Sequence, residues 1–247
     1  MTWEAYEALE HPFGWKVEYW DGQAHFTPRS MGVNTRLNLT NYDLVGQVNV
    51  QRCSLVSAQA TYTGQMIDGY LEAFGDSVEF CNWPMEKIKE SAERDISHYF
   101  SEQKGEPLPA SVIALEPKTQ RLAGLALFVL GKEQRPHLDL LYVRSPFQRQ
   151  GIATAMLHHG ISHLLEAEFQ ELSSSYHICN HISRQWHYKL GFQDIYDWYY
   201  LRIKVGWLRN EIWRREKLGI LTDLDGLRQK QEYYQVQLKE KESEQFR

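Results

Sequence analysis

The residues of this chain best placed to do chemistry lie between His137 and Ala153. Leu138–Ala153 reads LDLLYVRSPFQRQGIA: a short apolar strand, a turn at Pro146, a loop holding Gly151 and the start of a helix. Such a segment brings a row of backbone N–H groups to a helix N-terminus. The helix dipole also favours negative charge there, and phosphate oxygens bind. Gly151 has no Cβ, so a ligand can approach its main chain closely. Asp139 is the one charge among Leu138, Leu140, Leu141 and Val143. A carboxylate in such a strand is costly to bury unless it is paired or hydrogen-bonded. It therefore implies solvent access or function, a cap on a bulge, or a pairing with a neighbouring Arg or His. His137 stands two residues earlier, and the two-residue period of a strand puts both side chains on one face.

The elements that must hold these groups follow from composition and pattern. The chain has 247 residues, 43% hydrophobic and 24% charged, which is the make-up of an ordinary globular protein with a sizeable core. A net charge of −5 argues against a non-specific nucleic-acid binder. Cys53, Cys81 and Cys179 are odd in number and lack CxxC spacing, so a disulfide framework and a structural zinc site are not expected. No apolar run approaches the ~18 residues that span a bilayer. The acidic MTWEAYEALE opening is not a signal peptide, and a cytoplasmic location is the expectation.

Trp15–Trp20 and Gln23–Thr27 flank Asp21-Gly22, a strong hairpin signal. This opening resembles the start of small restriction-endonuclease-like proteins, which also begin with a YEAL helix and a strand ending in Asp-Gly. No acidic nuclease motif follows it, and a hairpin packed on the main domain is the favoured reading. A mostly polar connection runs through Asn41, and Val48–Ala58 is expected to supply the first strand of the main domain. Thr63–Phe74 and a segment from about Pro84 to Phe100 read as helices. Ala110–Leu115, Leu122–Leu130 and Leu138–Val143 read as strands, and Gln150–Glu166 as a helix. A strand over Leu172–Ile178, a helix over His181–Leu190 and an aromatic strand over Phe192–Ile203 complete the series. This order indicates a mixed sheet with helices on its faces. From Val205 onward Ile220, Leu224, Leu227, Gln231, Tyr234 and Leu238 alternate spacings of four and three. That suits an amphipathic helix that either forms a homodimer or folds back on its own domain.

Two motifs at the right separation are similar to those of the GNAT superfamily of acyl-CoA-dependent N-acetyltransferases. The first is Gln148-Arg149-Gln150-Gly151-Ile152-Ala153, five residues beyond Val143. The second is Asn180, Ser183 and His187 with Leu190-Gly191-Phe192. The resemblance covers about residues 47–204. It implies an α/β (α+β) fold with a mixed, mostly antiparallel twisted sheet flanked by helices. Residues 1–46 would then be an N-terminal helix and hairpin extension, and residues 205–247 a C-terminal helical extension.

The resemblance implies acetyl-CoA as co-substrate, with no metal. Leu141, Tyr142 and Val143 would pair with its pantetheine arm, and Gln148 to Ala153 with Thr154 would receive its pyrophosphate. Asn180 would hold the arm and Ser183 would stand at the next helix, although plain helix capping explains that pair equally well. In much of the family a Tyr seven residues after the Asn protonates the leaving thiolate. Here that place holds His187, with Tyr188 beside it, so either one, or solvent alone, is left to supply the proton. His137 and Asp139 occupy the places the family often uses for its base. The acid that some members carry five residues before the Asn is Ser175 here, so that route is absent. The oxyanion would meet a strand N–H near Leu141 or Tyr142.

The neighbouring His158 and His159 point about 100° apart on a helix and would chelate poorly, and His177 reads as an ordinary strand residue. Tyr196, Trp198, Tyr199 and Tyr200 could line an acceptor pocket or serve as core. The expected activity is acetyl transfer to a primary amine, small molecule or peptide. The competing expectation is a non-catalytic acyl-CoA-binding or protein-interaction module.

Overall fold

Leu122–Leu130, LAGLALFVL, is buried over nearly its whole length, so both of its faces must be covered. The computed structural model describes residues 1–40, 42, 53–131 and 134–245. In chain order these hold α1 (Trp3–Glu7), β1 (Trp15–Trp20), β2 (Gln23–Pro28), β3 (Gly32–Asn38) and β4 (Ser54–Ser57). Next come α2 (Thr63–Phe74), α3 (Met85–Phe100), β5 (Glu106–Pro107), β6 (Val112–Leu115), β7 (Leu122–Leu130) and β8 (Pro136–Val143). The remainder are α4 (Ile152–Glu166), β9 (Glu171–His177), α5 (His181–Lys189), β10 (Gln193–Ile195), α6 (Trp198–Leu218) and α7 (Leu224–Gln245). They divide between two compact units.

The larger unit is Asn34–Ser175 with Gln185–Gln193. Its sheet runs β3-β9-β8-β7-β6-β4, with β5 also on β7. β7 pairs antiparallel with β6 and β8, β4 pairs antiparallel with β6, and only β8 with β9 is parallel among the pairings that bear on the site. Two apolar cores cover its faces. On one, Met66 and Tyr70 of α2 and Ile88, Ala92 and Ile96 of α3 meet Ile113, Leu125 and Leu127. On the other, Met156, Leu157, Ile161 and Leu164 of α4 meet Val112, Ala126 and Phe128. The sheet is thus mixed, mostly antiparallel and flanked by helices, as the sequence implied.

The smaller unit is Met1–Val33, Tyr176–Arg184 and Asp194–Arg247. β1 and β2 pair antiparallel, and the turn residues Asp21 (φ 51°) and Gly22 (φ 69°) take the left-handed conformations that a two-residue hairpin turn needs. α6 and α7 pack together through Leu208, Ile212, Leu224 and Leu227 at one end, and through Leu201, Val205 and Leu238 at the other. Trp207 Nε1 donates to the His11 carbonyl at 2.6 Å, and Phe13 sets its ring edge against Tyr200 and Trp207.

The structure departs from the sequence reading in three places. The polar connection before Asn41 contains β3, whose buried residues Val33, Thr35 and Leu37 alternate with Asn34, Arg36 and Asn38; a threonine inside hid the pattern. The expected strand over Phe192–Ile203 stops at Ile195, because the Asp197 carboxylate accepts from Tyr200 N at 2.7 Å and starts α6. The C-terminal region is two helices rather than one: Gly219, at φ 69°, ends α6, and Ile220 lies outside both. Of the strand expected over Val48–Ala58, Ser54–Ser57 is β4, and residues 48–52 lie outside the described residues.

Gly160 marks the closest approach of α4 to the sheet. A Cβ built there would stand 2.4 Å from Phe128 Cζ, and Phe128 is wholly buried. At an exposed helical site Gly→Ala would stabilise by about 1 kcal/mol. Here overpacking reverses the sign. Gly160→Ala should destabilise the protein by about 1–3 kcal/mol, which a thermal melt reads as a fall of several degrees. A raised melting temperature would contradict the described contact.

Candidate active site

β8 does not keep a strand's two-residue period. Leu138 lies in the α4-side core, yet Leu140, two residues on, packs on the opposite core with Tyr142, and Leu141 and Val143 return to the α4 side. The pairing with β7 explains this. Leu127 faces Leu140 and Phe128 faces Leu138, so Asp139 is an extra residue without an opposite number. That is a β-bulge, which bends the strand and turns over every later side chain.

Asp139 is thereby accounted for structurally. Its Oδ2 accepts from Lys104 Nζ at 2.9 Å, and the same ammonium lies 3.4 Å from Asp95 Oδ1. The sequence had offered an Arg or a His as its partner, and the structure supplies a lysine 35 residues away. His137 is held by Ser173 Oγ, 3.0 Å from Nδ1. Burial lowers its pKa below that of an ordinary histidine, the Asp139 carboxylate opposes the shift and the Lys104 ammonium adds to it. Its imidazole is therefore neutral at pH 7.

β8 joins β9 at only two positions, His137 opposite Ser173 and Leu138 opposite Ser174. Past Leu138 no strand among the described residues pairs with the side of β8 away from β7, and Leu141, Tyr142 and Val143 lie on that run. Directly after it the chain turns through Ser145–Phe147, and Gln148 Nε2 donates back to the Val143 carbonyl at 3.0 Å. Arg149 (φ 60°) and Gly151 (φ 81°) are both left-handed, with Gln150 between them. Gln150 Nε2 donates to Pro146 O at 3.1 Å, while its buried Oε1 has no hydrogen-bond partner. α4 then begins with no side chain capping it. The N–H groups of Ile152, Ala153 and Thr154 thus have no intrahelical acceptor, and the adjacent left-handed turns form a concave nest of donors. Donors at this density suit phosphate oxygens, and the residues present fit a pyrophosphate.

The second motif falls on α5. Ser183 N donates to Asn180 Oδ1 at 2.9 Å, which caps the first turn of the helix. His187 is buried, 4% exposed, with Nε2 at 3.1 Å from Ser174 Oγ and the rings of Trp186 and Phe192 edge-on at 5.0 Å. Ser174 is one of the two β9 residues that pair with β8, so His187 is linked to the place where the strands part. Tyr188, its neighbour on the helix, is 42% exposed. His158 pairs with Tyr42 at 3.1 Å and His159 packs against His163. Tyr200 is buried, and Tyr196 stacks on it at 4.7 Å.

Two side chains hold the loop in place through contacts that no sequence pattern revealed. Tyr142 passes its ring beside Gly69 and donates to the Met66 carbonyl at 2.6 Å; burial raises its pKa, so it stays a phenol. Arg144 is almost wholly buried, its Nε 2.8 Å and its Nη2 2.6 Å from Glu72 Oε2 of α2. The partners are 72 residues apart, so no local spacing reveals them. Glu72→Gln leaves a buried guanidinium without its counter-charge and should destabilise the protein by about 3 kcal/mol in urea unfolding. A loss under about 0.5 kcal/mol would mean that Arg144 is held by other groups.

Residues 77–192, which include β8, the loop from Gln148 to Gly151, α4 and α5, match the Acetyltransferase (GNAT) family. No curated protein matches the sequence. Among solved structures the chain is similar to a GCN5-related N-acetyltransferase from Sphaerobacter thermophilus, at 16% identity over 66% of this chain and 48% of that one, with a TM-score of 0.48. It is also similar to a tandem GNAT protein from the clavulanic acid biosynthesis pathway, at 16% identity over 66% and 50% of the two chains, TM-score 0.46. A third is an aminoglycoside antibiotic 6′-N-acetyltransferase from Acinetobacter haemolyticus, at 15% identity over 58% and 93%, TM-score 0.42. The chain spans about half the length of the first two. The match to the Acetyltransferase (GNAT) family is confined to residues 77–192, just under half of the chain.

Proposed function

We propose that the chain transfers an acetyl group from acetyl-CoA to a primary amine, of a small molecule or a peptide, by direct transfer in a ternary complex. One observation supports this above the rest: the run of β8 past its β9 pairs leads straight into two left-handed residues and an uncapped helix. An amide-rich arm can pair with Leu141, Tyr142 and Val143 as an added strand would. Gln148 to Thr154 would take the pyrophosphate. The resemblance also assigns Asn180 a contact with the arm.

The amine nitrogen attacks the thioester carbonyl carbon, the C–S bond breaks and the thiolate takes a proton. A strand N–H near Leu141 or Tyr142 meets the developing oxyanion. His137 is the preferred base, since its imidazole is neutral at pH 7, whereas Asp139 is engaged by Lys104. His187 is the preferred proton donor, through its contact with Ser174, and Tyr188 is the second choice. An odd count of three cysteines without CxxC spacing supports a reducing compartment such as the cytoplasm. A homodimer through α7 would have to use a face other than Leu224, Leu227 and Leu238, which pack on α6.

The second reading, a non-catalytic acyl-CoA-binding or interaction module, draws on the burial of His187 between two aromatic rings, where it can serve as core. Thiol release from acetyl-CoA over a panel of amines and peptide N-termini separates the two. Turnover above background supports the enzyme; measurable CoA binding with no turnover sinks it. His187→Phe should lower kcat at least about tenfold at pH 7. A base must be deprotonated, so activity should be lost as pH falls through the lowered pKa of His137. The acid limb should therefore lie below about 6.5, and His137→Gln should abolish it. A limb at or above that value would remove His137 from the role.

A further inference from the structure

A cavity of about 640 Å³ lies wholly within the smaller unit, and none of its lining residues falls in the matched segment 77–192. Its volume is that of a small-molecule pocket. Six aromatic side chains line it: Trp3, Tyr6, Trp15, Tyr199, Trp207 and Trp213. Trp3, Tyr199 and Trp213 are each about half exposed, and the Lys217 ammonium lies over the Trp213 ring at 4.9 Å.

Flat aromatic walls accept either a cation or a planar ring, and the charges around them decide between the two. Both lining carboxylates are already engaged. Glu7 pairs with Lys217, and Glu211 holds Arg214 at 2.8 Å and Arg215 at 2.7 Å. Of the lining cations, Lys16 is paired with Glu18 at 2.7 Å and Arg214 with Glu211. Arg29 and Arg202 have no carboxylate partner among the described residues; Arg202 lies over the Trp198 ring at 5.1 Å. The cavity therefore offers uncompensated positive charge, which repels an ammonium and attracts an anion. His11 adds a second, independent sign of a ligand. Its buried Nε2 has no hydrogen-bond partner, although its carbonyl is fixed by Trp207. Burial and the Arg214 charge keep that imidazole neutral, so it can complete a polar contact without opposing the guanidinium groups by much.

We propose that this cavity binds a small planar aromatic carboxylate, its ring between the tryptophans and its carboxylate on Arg29. A guanidinium matches a carboxylate with two parallel hydrogen bonds, and the rings supply stacking. The site does not depend on acetyl transfer, and its binding is read without acetyl-CoA.

The full chain is titrated with 2-naphthoate, uncharged 2-naphthalenemethanol and cationic 2-naphthylmethylamine, following tryptophan fluorescence and calorimetry. Saturable binding in the order naphthoate, alcohol, amine is expected. Arg29→Gln should weaken naphthoate about tenfold and the alcohol less than about twofold, with Arg29→Lys in between. Trp213→Ala, at the exposed rim, should weaken both naphthoate and the alcohol, and keeps the test available if Arg29→Gln does not fold. The proposal is overturned if naphthoate shows no saturable binding, as for a surface reserved for a protein partner. It is equally overturned if the amine binds as tightly, or if a folded Arg29→Gln chain binds naphthoate undiminished.

Discussion

Past Leu138, β8 has main-chain donors and acceptors on one side that β9 does not satisfy. The two strands share only the pairs His137–Ser173 and Leu138–Ser174. A strand interior to a sheet normally fills both sides, and an open run is costly unless water or a ligand fills it. The open run is tolerable here because the rest of β8 is over-determined. β7 pairs with it along its length, Tyr142 is tied to Met66, and Arg144 at its end is tied to Glu72. α2 thus fixes, through Tyr142 and Arg144, the part of the strand that β9 leaves unpaired.

The loop that follows inherits this rigidity. Gln148 returns a hydrogen bond to Val143 before the two left-handed residues, so the orientation of the uncapped α4 is set by the end of β8. Placement on strand and helix, rather than on a free loop, is what lets a row of N–H groups act together. The Asp95–Lys104–Asp139 cluster has a comparable part at the opposite end of the strand, where it neutralises the charge that the bulge leaves half-buried.

Much of this was legible in the chain. The Asp21-Gly22 turn, the helix over Thr63–Phe74 and the apolar run Leu122–Leu130 carry local signals that tertiary packing did not override. The glycine loop after Pro146 was legible because its chemistry is written in consecutive residues. β3 was not, since Thr35 breaks the apolar alternation while being wholly buried. Trp198-Tyr199-Tyr200 suggests a strand by propensity, and a helix prevails because Asp197 caps it and Leu201, Val205, Leu208 and Ile212 bury against α7. Within the site, the Lys104–Asp139 and Arg144–Glu72 pairs join residues 35 and 72 positions apart, a distance at which sequence spacing carries no geometric content. The position of His187 beside Ser174 is of the same kind.

The extra residue at Asp139 makes β8 behave like a reading frame. A substitution there changes one side chain and leaves the rest of the strand in place. Loss of the residue would restore strict alternation without turning any later side chain over, because Leu138 and Leu140 already face the consecutive residues Phe128 and Leu127 on opposite sides of the sheet. Straightening the strand with the residue kept would instead rotate Leu140 to Val143 by half a turn, sending Tyr142 towards the α4 core and Leu141 and Val143 towards Met66 and Tyr70 of α2. The bulge, rather than the residue that fills it, therefore sets which core each later side chain joins. A relative of this chain with one residue fewer here could keep the same two cores, provided that it also lost the bulge.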